Sequence, residues 1–215
     1  MSVENVLALA GEAGVAVERL VVAPEPGVVP PSPPHRWVVV PMENGETTIG
    51  GTDRGRFTVY GQYETDELAA NALAHLADAP EFQPAPGDLD ELGREAQRLA
   101  STLKDRASAG LAPSDIPVGT LLDHIGLENG HTLFLLDTPF GERSLPPTDL
   151  RMPRTGYVLK NPLPPMAVVA PVVAWFGQPG GGIMVSLDRP IRYYYDLGLL
   201  DRVRLVAPDT VEASS

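Results

Sequence analysis

Few residues in this chain could do chemistry, and most of the usual constellations fail on type or spacing. There is no cysteine, so thiol nucleophiles, disulfides and cysteine-ligated metals are excluded. The four histidines are His35, His75, His124 and His131. Only the last two are close in sequence, and neither HExxH nor H-x-x-x-H is present, so a zinc site is not expected. A serine hydrolase would need a GxSxG elbow, which is absent; Ser144 and Ser186 read as a turn and a strand residue. Two features remain. One is the run Trp175-Phe176-Gly177-Gln178-Pro179-Gly180-Gly181-Gly182, whose glycines invite a phosphate-loop reading but lack the Lys-Ser/Thr of such a loop. The other is a locally basic stretch, Arg143, Arg151, Arg154 and Lys160, diluted by Asp149, which favours anion binding.

Elements must position these residues. Residues 2–10 read as a short helix capped by Ser2, with Val3, Val6, Leu7 and Ala10 on one face. The β-branched run Val15 to Val22 suggests a strand. Residues 23–35, APEPGVVPPSPPH, suggest an exposed extended connector. Trp37 to Val40 and Arg56 to Tyr60 read as strands joined by a turn-rich segment, and Thr65 caps a helix carrying Leu68, Ala69, Ala72, Leu73 and Leu76. Residues 81–88 look like a boundary. Asp88 and Glu91 then have capping-box spacing ahead of an amphipathic helix to about Ala107, expected to pack the two halves together. The expected class is α+β. A small N-terminal α+β module (1–80) and a linker with the amphipathic helix (81–109) precede a C-terminal domain of short bent strands (110–208) and a tail (209–215).

The net charge of −12 argues against general nucleic-acid or membrane binding, because such a chain repels phosphates and anionic lipid heads. No stretch approaches the roughly 20 apolar residues of a membrane span. MSVENVLALAGEAG lacks the basic start and apolar run of a signal peptide, so a cytoplasmic location is expected, with leaderless export left open.

Several blocks in order resemble one family. Pro117 to Gly126 is similar to the opening of a tuberculosis necrotizing toxin (TNT) domain, a family of NAD glycohydrolases. It is followed by Gly130, by Thr138-Pro139-Phe140, and by Glu142-Arg143-Ser144-Leu145-Pro146-Pro147. Tyr157 to Leu163 resembles the family's central strand, and Trp175 to Gly182 its signature. Ile191 to Leu200 resembles its closing helix and turn. The resemblance runs over residues 116–204. It implies a TNT-like fold, an NAD or NADP ligand or substrate with no separate cofactor, and cleavage of the nicotinamide–ribose bond.

That reaction builds positive charge on the ribose as nicotinamide leaves. It calls for cations on the pyrophosphate, an aromatic surface for the nicotinamide, and a polar group at the ribose. By the resemblance, the catalytic positions are Arg143 and His124, the latter where the family has an arginine. Thr132 stands at the aromatic position, with Phe134 two residues on and on the same strand face. Phe176, Gln178 and Gly181 lie in the signature block. Met184 stands where the family has a glutamine. These substitutions imply recognition of an NAD-type dinucleotide with hydrolysis weak or lost. The alternatives are an active glycohydrolase using His124, Phe134 and Gln178, and a non-catalytic interaction or immunity-type protein with a protein partner.

Overall fold

A computed structural model describes residues 2–205, so the expected tail, 209–215, lies outside the described residues. Short runs rich in β-branched and aliphatic residues, most of them buried at successive positions, form two separate sheets. The first contains β1 (Val21–Val22), β2 (Trp37–Pro41), β3 (Thr47–Asp53) and β4 (Arg56–Tyr63) in sequential order. Helices α1 (Val3–Glu12) and α2 (Asp66–Ala77) bury Val6, Ala10, Ala69 and Leu73 against it, with Val39 and Ile49 from the sheet. The Thr65 side chain accepts a bond from the Leu68 N–H, as expected of a helix cap.

The second sheet has the order β10-β7-β5-β6-β9-β8. Its strands are β5 (Leu121–Ile125), β6 (Thr132–Leu135), β7 (Arg154–Leu159), β8 (Val168–Pro171), β9 (Ile183–Ser186) and β10 (Leu200–Val203). Helix α3 (Leu89–Arg106) starts on Asp88, whose carboxylate accepts from the Glu91 N–H at 2.9 Å. Short helices α4 (Phe140–Arg143) and α5 (Ile191–Asp196) complete this half. Leu122, Leu133, Leu135, Tyr157, Ile183 and Val185 fill its core.

Three local expectations change. Val15–Val22 does not form one strand: a 3-10 turn at Val17–Arg19 precedes the two-residue β1, because the Glu18-Arg19 pair breaks the apolar run. The turn-rich segment after β2 contains a full strand, β3, whose Thr47–Ile49 are buried between β2 and β4. Threonine's branched Cβ suits a strand, and burial overrides the glycine-rich composition. Finally, the apolar face of α3 (Ala96, Ala100, Leu103) joins the core of the second sheet.

The proline-rich connector is also more than a spacer. Ser32 and Pro34 line a cavity against the second half, and the Asn129 side chain donates to the Arg36 carbonyl at 2.7 Å.

Candidate functional site

Strand β5 supplies Asp123 and His124, and adjacent strand residues point to opposite faces. Asp123 is fully buried, and both its oxygens receive the Arg143 guanidinium. Arg143 sits at the end of α4, only 2% exposed. Its Nε donates to the Thr138 carbonyl at 2.8 Å, and the guanidinium lies over the Phe134 ring at 4.9 Å. Arg154 on β7 brings a second cation to Asp123, Nε to Oδ2 at 2.6 Å, and binds Asp137 at 2.9 Å. Three of the five donors on Arg143 are therefore committed, and the ring beneath it is buried. Lys160 pairs with Asp201 at 3.0 Å. Three of the four cations in the basic stretch thus neutralise carboxylates of the same domain, and the stretch is not an open anion patch.

His124 faces the other way. Its Nδ1 lies 2.8 Å from the Thr132 carbonyl and its Nε2 lies 3.0 Å from the Leu127 carbonyl. Burial pulls its pKa below the ordinary 6.5 against the attraction of Asp53, and both ring nitrogens are taken up by backbone carbonyls. Thr132 is buried as well. Its N–H donates to Asp53 and its carbonyl meets His124, while Oγ1 has no partner among the described residues. Arg143 and His124 are thus separated by the thickness of β5, and no single ligand surface presents both.

The glycine run turns out to be a packing device. Gly180 N–H donates to Gly141 O (3.1 Å), Gly181 N–H to Val172 O (2.8 Å) and Gly182 N–H to Glu142 O (3.0 Å). All three amides are used inside the protein, so they do not form an open phosphate cradle. Gly182 presses on α4 so closely that a Cβ would lie 2.5 Å from Thr138 and 2.9 Å from the Glu142 carbonyl. The turn and Arg143 do converge, through backbone rather than through a ligand.

The remaining expected residues divide between surface and interior. Phe176 is 44% exposed and stacks on Trp175 with ring centres 4.5 Å apart. Its φ of +50° is the left-handed region that bulky side chains avoid. Gln178 donates to the Leu145 carbonyl at 2.6 Å, leaving its buried Oε1 without a partner among the described residues. Met184 is half-buried on β9, beside Phe134 of β6 and Ala170 of β8.

Sequence reasoning missed the groups that organise this region. Asp123 carried a signal, a carboxylate inside the apolar strand Leu121-Leu122-Asp123-His124-Ile125, which demands a buried partner. Asp53 and Arg54 carried none, because in sequence they are ordinary hairpin-turn residues. They arrive from the first sheet. Asp53 Oδ2 accepts from the His131 and Thr132 N–H groups, each at 3.1 Å, and the Arg54 guanidinium reaches the Arg143 carbonyl at 3.1 Å. Burial would raise the Asp53 pKa. The imidazoles of His131 and His124, with hydrogen bonds from the His131 backbone and from Thr132, outweigh it and hold the carboxyl below its usual range. A cavity of about 170 Å³ remains between Thr52–Gly55 on one side and Ser144–Pro146 with Trp175 and Phe176 on the other.

Comparison with known proteins agrees with this arrangement of blocks. Residues 115–203 match the model of the family described as Tuberculosis necrotizing toxin. A protein of Aspergillus fumigatus named conidial surface nicotinamide adenine dinucleotide glycohydrolase is 34% identical over 96 residues. That segment is 42% of this chain and 39% of the relative, so the chain spans about two fifths of the protein it matches. A solved structure of tuberculosis necrotizing toxin complexed with its immunity factor is 29% identical, covering 37% of this chain and 46% of that one, with a TM-score of 0.34.

Proposed function

We propose that the C-terminal domain recognises an NAD-type dinucleotide and that hydrolysis of its nicotinamide–ribose bond is weak or lost. One observation carries the second half of this reading. At the positions where the chemistry calls for charge, a ring and an amide, the chain places a buried His124 held between two backbone carbonyls, a buried Thr132 and an apolar Met184. Methionine offers a polarizable surface that can cover a ring, but it cannot orient a ribose hydroxyl. Removing one preorganised polar group commonly costs about 10²–10³ in rate, and even with non-additivity several such losses leave little turnover. Likeness to a nicotinamide adenine dinucleotide glycohydrolase supports the choice of ligand.

Within the TNT-type domain, the surface best suited to a dinucleotide is the exposed Trp175–Phe176 pair. Exposed stacked aromatic rings are a natural platform for a nicotinamide or adenine ring. Titration of NAD and ADP-ribose by calorimetry, with nicotinamide release assayed on the same sample, tests the reading. Saturable binding with negligible release is expected. Brisk release by the wild type, or no binding of either compound under any condition, overturns it. If loss of the amide explains the low rate, Met184→Gln raises release by about 10²-fold.

A further inference from the structure

The proposed site leaves the N-terminal half without a role, yet that half reaches into the TNT-type domain at the loops the family resemblance singles out. The contact is made by one end of the β3–β4 hairpin. Arg54 and Gly55 form its two-residue turn with φ of +50° and +76°, the left-handed pair that suits a tight hairpin. Asp53 is held by the backbone N–H groups of His131 and Thr132, and Arg54 by the carbonyls of Arg143 and Ser144. The adjoining strand fits just as closely, since a Cβ on Gly51 would lie 2.0 Å from the Asn129 carbonyl oxygen. From the connector, His35 meets the Leu127 N–H at 3.4 Å and Asp149 at 3.5 Å.

We infer that the end of this hairpin, centred on Asp53-Arg54-Gly55, is a lid built into the chain that closes the ligand cleft of the TNT-type domain. Three observations carry it. The first is position: the turn forms one wall of the cavity whose other wall is the Trp175–Phe176 pair and Ser144–Pro146. The second is size. About 170 Å³ remains with the turn in place, whereas pockets for ligands of drug size run to about 300–1,000 Å³. A single ring fits this space and a dinucleotide does not. The third is mechanical. The register of β3 on β4 shifts between Ile49 and Gly50, and Gly50-Gly51 follow, so the hairpin bends at a bulge just before the segment that covers the cleft. The rest of the module is anchored elsewhere. Arg192 of α5 donates to the Asp78 and His75 carbonyls, and Tyr60 donates to Asp196 at 2.7 Å. The lid end can therefore part from the domain while the module stays attached.

The lid rests on these contacts alone; only its consequence for dinucleotide entry depends on the proposed function. The decisive variant is Arg54→Gly in the full chain. Glycine takes the left-handed turn more readily than arginine, so the hairpin folds, and Asp53 stays in place. Hydrogen exchange is read at the His131 and Thr132 amides, which report the lid through Asp53, and at α1 and α2 as a reference. About tenfold faster exchange at those two amides with unchanged helices is expected, together with at least about tenfold tighter NAD binding in Asp53→Ala and Arg54→Gly than in the wild type. Unchanged exchange at both amides overturns the inference, as does equal loosening throughout the chain. Equal and measurable NAD affinity in wild type and variants also overturns it, because the closed cleft would then admit the dinucleotide. Selective loosening with no NAD binding in any protein upholds the lid and sinks the proposed ligand instead.

Discussion

Arg143, singled out by the family resemblance, is held by contacts within the protein. Its guanidinium and the Asp123 carboxylate form a buried ion pair, to which Arg154 adds a second cation from the surface. Breaking a buried pair by removing one partner costs about 3–5 kcal/mol; removing Arg143 takes away the only fully buried cation on Asp123 and leaves it the partly exposed Arg154. Arg143→Ala is therefore expected to lower the free energy of unfolding by about that much, measured by urea denaturation, and to do so in the absence of any ligand. A loss below about 1 kcal/mol would show that the guanidinium is free to serve a ligand. Any loss of activity in this variant has to be read beside its stability. Met184 is different: half-buried at the strand surface, it can accept an amide without stranding a charge.

At the scale of elements, the glycine turn and α4 behave as one unit. The amides of Gly180 and Gly182 cap the carbonyls of Gly141 and Glu142, so the turn after β8 fixes the helix that carries Arg143. Two substitutions separate packing from backbone strain. Gly182→Ala drives a methyl group into Thr138 and the Glu142 carbonyl, an overpacking that costs about 1–3 kcal/mol. Gly181→Ala meets open space but forces alanine to φ +94°, a strain of about 1–2 kcal/mol. Thermal melts of both, with Arg143 order followed by NMR, check the assignment. Gly182→Ala is expected to disturb α4 and Gly181→Ala to leave it in place. If the two variants shift α4 equally, the turn is not what holds it.

Over the whole molecule, the contact between the halves is sensitive to protons. His131 and His124 both have pKa values lowered from 6.5, by burial first, against the attraction of Asp53; Arg56, Arg54 and His124 add to the lowering at His131. A base with a depressed folded pKa binds protons more weakly when folded. Below about 6.5 the unfolded chain therefore takes up protons that the folded chain refuses, and stability rises with pH until the unfolded histidines are neutral. Asp53, depressed from 3.8, acts in the same sense at lower pH, and its contribution is lost as pH falls through its folded value. Glu128, raised by burial from 4.5, opposes them in mildly acidic solution. The urea midpoint is expected to rise from pH 5.5 to pH 7.5, and the rise to shrink in His131→Asn, which removes one histidine and leaves Glu128 in place. An identical slope in both proteins would exclude His131 as a source.

The local rules were legible in the chain. Thr65 and Asp88 cap their helices as expected because capping depends on neighbours three residues away. The α+β class followed from the reading of its helices and strands, and the blocks that resemble the TNT family were readable in order from Pro117 onward. Even β3 could be missed only because glycine and threonine dilute its pattern, and pairing on both sides restored it. What each candidate side chain faces was decided elsewhere. Whether Arg143 meets a phosphate or Asp123 depends on the packing of α4 over β5, and whether the Gly180–Gly182 amides are open depends on how closely the turn approaches that helix. Asp53 and Thr132 are 79 positions apart. Periodicity and propensity act over a few residues, whereas burial and ion pairing depend on which surfaces the folded chain brings together. The sequence therefore determined the elements and the order of the motif blocks. Tertiary packing alone decided that those motifs are largely engaged within the protein and covered by its own hairpin.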